Sequence, residues 1–240
     1  MRKTNNLTRE EVIEITNRYP YLLPRNVWTD KLPDDYDYTY IRYLEIPDGW
    51  NELFFQLCED IRQPLIDAKY LKKFRFIQVK EKYNRLECYN LGAPTEVHNI
   101  IRKYSMMARH VCTCCGRPAE YETQGYIASY CEKCLDKIPV YERIERIKFD
   151  TNFRVITRID GKEQREMISF KNEWERYLNK VAPDVLAKGT KIKVGKRNGV
   201  IDGTTNWHGK LAYLVLLDGC HDYHVLKPDD FKVIEVEYES

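Results

Sequence analysis

No stretch of this 240-residue chain approaches the roughly 18 consecutive apolar residues of a membrane-spanning helix, which excludes a helical membrane protein. The start, Met1-Arg2-Lys3-Thr4-Asn5-Asn6, is basic but lacks the apolar core of a secretory signal. A soluble, cytoplasmic protein with no membrane partner is expected. An excess of one charge sign is also missing: 39 Lys and Arg stand against 37 Asp and Glu, so the chain is not built for tight, indiscriminate electrostatic binding. Ser-His-Asp order, His-Glu-x-x-His, Gly-x-Gly-x-x-Gly and kinase signatures are absent, as are repeats of 20 to 50 residues and low-complexity tracts. Nothing in the motif content points to an enzyme.

What is present is cysteine, and it is clustered. The eight are Cys58, Cys88, Cys112, Cys114, Cys115, Cys131, Cys134 and Cys220. Cys112-Thr113-Cys114-Cys115-Gly116 and Cys131-Glu132-Lys133-Cys134 form two C-x-x-C pairs 15 residues apart, the spacing of a four-cysteine zinc site. Two residues between thiolates let a tight turn aim both sulfurs at one ion, and Gly116 permits a positive φ there. Cys114 offers a competing register, but only Cys112 with Cys115 leaves the two-residue gap followed by glycine, which makes Cys114 a spare thiol. Paired disulfides are the alternative, disfavoured in a reducing compartment. His110 is a further candidate ligand. Four thiolates close the coordination shell, so one structural Zn2+ is expected, with no open position for hydrolysis.

The remaining chain reads as α+β: a zinc-ribbon-stabilised helix-hairpin-helix module plus a small C-terminal β-barrel. Four segments are expected. Residues 1–48 begin with the capping box Thr8-Arg9-Glu10-Glu11 and a short helix stopped by Tyr19-Pro20, then become irregular and rich in Pro, Asp and Tyr. Residues 49–140 hold the four-cysteine module. In it Trp50, Leu53, Phe54, Leu57, Cys58 and Ile61 mark the buried face of a helix ending before Pro64; a hairpin turns near Tyr83-Asn84-Arg85, and a helix runs from about Glu96 to Arg109. Residues 141–185 add a hairpin through Asp160-Gly161 and a helix from Asn172 to Lys180 ended by Pro183. Residues 186–240 give five short β-rich runs, Lys191–Val194, Gly199–Ile201, Ala212–Leu217, His224–Leu226 and Lys232–Val236, punctuated by Gly and Asp.

Two resemblances follow from these residues. Gly49-Trp50, Leu57-Cys58, Ile61, the run Gln78-Val79-Lys80-Glu81-Lys82-Tyr83, Leu86, Tyr89 and the two C-x-x-C pairs resemble a family of uncharacterised bacteriophage and prophage proteins. The resemblance spans Gly49 to Cys134 and implies a phage origin and a bacterial host cell, with no assigned activity. The chain departs from the family pattern at Asn84-Arg85, where two glycines usually follow the aromatic. Separately, Lys188 to Val194, Gly199 to Ile201, Tyr213 to Gly219 and Leu226 to Ile234 are similar to KOW, Tudor-like and other SH3-like barrels, which bind nucleic acid, peptides or neighbouring domains.

Candidate binding residues lie in 69–85, where Lys69, Lys72, Lys73, Arg75, Lys80, Lys82 and Arg85 face one acid, Glu81, with Tyr70, Phe74, Phe76 and Tyr83 interleaved. Phosphate neutralisation with base stacking uses that mixture; a half-buried hairpin with merely solvated lysines gives the same pattern. Cys220-His221-Asp222-Tyr223-His224, with His208, is a conceivable second metal site, although alternation along a strand sets His221 and His224 on opposite sides. The expected function is non-catalytic surface binding of nucleic acid or of a host protein, as a host-takeover or anti-defence factor. A protein sequestering a nucleotide signal is the alternative, and would show a pocket with convergent Arg, Lys and aromatic groups. A nuclease-type enzyme is the remaining one.

Overall fold

A computed structural model describes residues 7–26, 28–41, 44–159, 162–182, 186, 190–207, 210–220 and 222–234. The protein is α+β and divides into two compact units, 1–177 and 178–240. By that division residues 1–48, 49–140 and 141–177 fall in the first unit, and the second begins at residue 178. No helix among the described residues is long and apolar enough to cross a membrane.

Helix α1, Arg9–Arg18, starts where sequence places it: Thr8 Oγ1 accepts from Glu11 N and Glu11 returns the bond to Thr8 N. A 3-10 turn at Pro20–Leu22 follows, then a two-residue strand β1, Leu44–Glu45. Helix α2, Asn51–Asp67, buries Leu53, Phe54, Leu57, Cys58, Ile61 and Leu65 at helical spacing. It does not end before Pro64. That proline sits in the last turn, where its missing N–H forfeits one intrahelical bond, and continuing the helix seats the fully buried Leu65.

Strands β2, Phe76–Lys82, and β3, Arg85–Asn90, form the expected hairpin, joined by the two-residue turn Tyr83-Asn84, both at positive φ (52° and 59°). β1 pairs parallel to β2, giving a three-stranded sheet of order β1-β2-β3. Helix α3, Thr95–Met107, packs against α2 and β3 and gives way to a 3-10 turn at Ala108–His110 that leads into the first cysteine pair. The core beneath is aromatic: Tyr21 meets Phe74 and Phe76 edge-on with centroids 5.4 and 5.7 Å apart, and Phe54 lies 5.8 Å from Phe76.

The cysteine-rich segment carries β4, Tyr121–Thr123, and β5, Ser129–Tyr130. Strand β6, Ile144–Arg146, joins them in order β5-β4-β6, so this sheet extends past residue 140. A separate hairpin, β7 (Asn152–Ile159) with β8 (Lys162–Ser169), matches the expected one; its Asp160-Gly161 connection lies outside the described residues. Helix α4, Lys171–Val181, follows; the expected stop at Pro183 is likewise outside them.

The second unit is an antiparallel five-stranded sheet of order β12-β11-β10-β9-β13, built from β9 (Lys191–Val194), β10 (Arg197–Trp207), β11 (Lys210–Leu217), β12 (Tyr223–Leu226) and β13 (Lys232–Val233). Ile192, Ile201, Tyr213, Val215 and Leu217 form its core. A register shift between Ile201 and Gly203 bends β10.

Candidate metal centre and adjoining groove

The two C-x-x-C turns bring Cys112, Cys115, Cys131 and Cys134 together with all four sulfurs within 4.8 Å of one another. A tetrahedral ion bound at about 2.3 Å sets its sulfurs about 3.8 Å apart, so the cluster can hold a metal ion. Cys112, Cys131 and Cys134 are buried. Local geometry explains the convergence. Gly116, at φ 76°, donates its N–H to Cys112 O at 2.9 Å, and Cys134 N donates to Cys131 O at 2.9 Å. Hydrogen bonds from the Cys115 and Cys131 thiols pull Cys112 far below the usual thiol range, and the same sharing holds Cys131 up. Burial pushes Cys134 up to about 12. The ammonium of Lys137 lies near Cys134 and Cys114, which hold its pKa above the usual value.

Neighbouring elements clamp the first knuckle. Gly49 N donates to Thr113 O at 2.9 Å and Trp50 Nε1 to Val111 O at 3.1 Å. Tyr177 Oη, whose pKa burial pushes well up, donates to Gly116 O at 2.6 Å. A Cβ on residue 49 would meet the Cys112 carbonyl oxygen and lie 2.7 Å from that of Thr113, so close approach dictates glycine here. Cys114 packs beside the cluster without joining it, as a spare thiol should. His110 is not a ligand: it is buried against Phe149, Phe170 and Trp174, with ring centroids 4.8, 5.9 and 6.2 Å away, and burial lowers its pKa to about 4.

The basic residues of 69–85 separate into three settings. Lys69, Lys72 and Lys73 are exposed on the turn after α2. Arg75 is 8% exposed and paired with Asp30 at 2.9 Å, which withdraws it from any binding surface. Lys80 and Lys82, two apart on β2, share a face with Arg85, Glu87 and Tyr89, because the register pairs Lys82 with Arg85, Lys80 with Glu87 and Gln78 with Tyr89. Val79 and Leu86 fill the other face. On the hairpin, Lys80 Nζ stands 5.3 Å from the Tyr89 ring centroid, and Lys82 Nζ 5.7 Å from that of Tyr83.

Sequence reasoning missed what the hairpin tip docks against. Asn84 is fully buried; its Nδ2 donates to Ser129 Oγ at 2.6 Å and Glu122 Oε2 at 2.8 Å, while its N–H donates to Glu81 Oε1 at 2.7 Å. This docking leaves an open groove of about 480 Å3 lined by Lys82, Tyr83, Arg85 and Glu87 of the hairpin and by Arg109, Glu122 and Ile127. Arg109 and Glu122 are 3.5 Å apart. An Asn at a turn position needing positive φ was the one local signal of this arrangement.

In the second unit, Cys220 accepts from Arg197 at 3.5 Å, and His208 and His221 lie outside the described residues. Among the described residues the four cysteines are the one group of three or more His, Cys, Asp or Glu poised for a metal. Fold and site together define an α+β protein with a four-cysteine cluster that can hold a metal ion. No family model, no curated protein and no solved structure matches the chain.

Proposed function

We propose that the protein is a non-catalytic, zinc-stabilised binding protein that holds single-stranded nucleic acid on the β2–β3 hairpin. One observation carries this reading: Lys80, Lys82 and Arg85 share the solvent face of the hairpin with Tyr89, and Tyr83 stands 73% exposed at its tip. Cations beside open ring faces suit alternating phosphates and unstacked bases. A single strand is favoured over a duplex because stacking on tyrosine needs unpaired bases, and because Glu87 and Glu122 beside this face oppose a continuous phosphate ridge.

The choice of zinc rests on the ligand set, since four thiolates in a closed shell suit Zn2+ and leave no position for an attacking water. The second unit is read as an SH3-like barrel, supported by its meander of short antiparallel strands, the bend in β10, and a last strand that returns to β9 after a 3-10 turn at Pro228–Asp230.

The test is fluorescence anisotropy of the zinc-loaded protein with mixed-sequence single- and double-stranded DNA and RNA at two salt concentrations. Saturable, salt-steep binding of single strands, lost in the Lys80→Glu, Lys82→Glu double variant, is expected; no binding even at low salt refutes the reading. A protein partner is the second reading. Its support is Trp28, 91% exposed on a loop that Asn26 Oδ1 organises by accepting from the N–H groups of Trp28 and Thr29 at 2.8 and 3.0 Å. It predicts that Trp28→Ala abolishes capture of the partner while oligonucleotides do not bind.

A further inference from the structure

We infer that the groove between the hairpin tip and the metal-bearing sheet takes one guanine nucleotide, its phosphate among Lys82, Arg85 and Arg109 and its base edge on Glu87. This rests on the nucleic-acid reading above and names the unit that is held. At about 480 Å3 the groove lies within the ~300–1,000 Å3 of small-molecule sites. Its cations converge from distant stretches of chain: Lys82 and Arg85 bracket the turn, and Arg109 arrives from the 3-10 turn after α3. The convergence is built, not incidental. Asn84, with its bonds to Ser129 and Glu122, fixes the hairpin tip against the sheet, and Ser129 Oγ in turn donates to Arg109 O at 2.6 Å.

The mixture of charges selects the ligand. Arg109 is partly engaged by Glu122, but the side chains of Lys82, Arg85 and Glu87 make no hydrogen bond or ion pair among the described residues, and the Lys82 ammonium rests over the Tyr83 ring. A plain anion would satisfy the cations and be repelled by Glu87. A ligand with an anionic group at one end and hydrogen-bond donors at the other satisfies both, and a nucleotide is such a molecule. Among the bases, guanine sets two parallel donors, N1–H and the 2-amino group, on one edge, which matches the two oxygens of a carboxylate. Uracil and thymine set their N–H between two carbonyls, which a carboxylate repels. Tyr83 at the rim supplies a ring face and Ile127 an apolar wall.

The experiment is calorimetric titration of the zinc-loaded full chain with GMP, UMP and inorganic phosphate, beside anisotropy with labelled single strands containing or lacking guanine. GMP is expected to bind about tenfold or more tightly than UMP or phosphate, the discrimination one bidentate contact provides. Arg109→Gln, a change at a half-exposed side chain, should weaken GMP about tenfold, and Glu87→Gln should erase the preference over UMP, each with wild-type melting temperature and zinc content. Tighter binding of a guanine-bearing strand than of GMP marks a strand as the source, and equal affinity a free nucleotide; either supports the site. Strands that bind with no guanine preference and no loss in Arg109→Gln overturn the groove and leave the hairpin reading standing. GMP binding without strand binding overturns the hairpin reading alone, and binding of neither overturns both.

Discussion

Gly49 and Trp50 show how single residues brace a four-cysteine cluster to which they contribute no ligand. With the Thr113 carbonyl 2.7 Å from where a Cβ would stand, Gly49→Ala must push the first knuckle away from α2. Overpacking of this kind costs about 1–3 kcal/mol, so a lower urea midpoint and a lower zinc affinity should appear together. Wild-type values for both would show that the knuckle yields freely. The choice between Cys114 and Cys115 is tested the same way. Cys114→Ser should keep one zinc per chain, whereas Cys115→Ser should surrender it to a competing chelator, since three thiolates and a hydroxyl make a poorer shell. Equal retention by both would refute the assignment.

At the scale of elements, the hairpin turn sets local strain against tertiary gain. Tyrosine is poorly suited to φ 52°, and at 73% exposure its side chain buries little, so Tyr83→Asn should raise stability by about 0.5–1 kcal/mol while weakening oligonucleotide binding. A drop in stability would mean that Tyr83 packs more than its exposure implies. Asn84→Gly presents the opposite balance. Relief of a mild positive-φ strain is worth a few tenths of a kcal/mol, against a buried side-chain bond to Ser129 and a part-buried one to Glu122 at about 1 kcal/mol each, so net destabilisation is expected in thermal melts. The elements that sequence made legible are α2 and α3, whose burial follows the helical period, and the two hairpins, whose β-rich runs flank the turn sequences Tyr83-Asn84-Arg85 and Asp160-Gly161. Pro64 misled because a proline's cost in a last turn is one bond, less than burial of Leu65 returns. β1 is two residues long, and β6 is wholly exposed, so neither carries an alternation to read.

For the whole molecule, legibility follows sequence distance. The four sulfurs were readable because each pair spans four residues, and the groove was not, because Arg109 lies far along the chain from Lys82 and Arg85 and meets them through Asn84. The same reasoning predicts what metal removal does. Four thiolates bring binding free energy of about 10–16 kcal/mol to a structural zinc site, and this is folding free energy for the chain that wraps it. Stripped of the ion, Cys112, Cys115, Cys131 and Cys134 must remain crowded, and Cys131 and Cys134 must hold protons, because shared protons raise Cys131 and burial raises Cys134. The clamps from Gly49, Trp50 and Tyr177 end on this segment and should loosen with it. The sheet β9–β13 has its own core of Ile192, Ile201, Tyr213 and Val215 in a separate compact unit. Hydrogen exchange after chelation should therefore lose protection across residues 108–134 and in β4–β6, with β9–β13 unchanged. Acid should act as chelation does, since protons compete with the ion for each thiolate and metal affinity falls as pH falls. Retained protection at 108–134 in the metal-free chain would mean that the backbone clamps alone hold the knuckles, and equal loss in both units would mean that the metal governs more of the fold than the chain that wraps it.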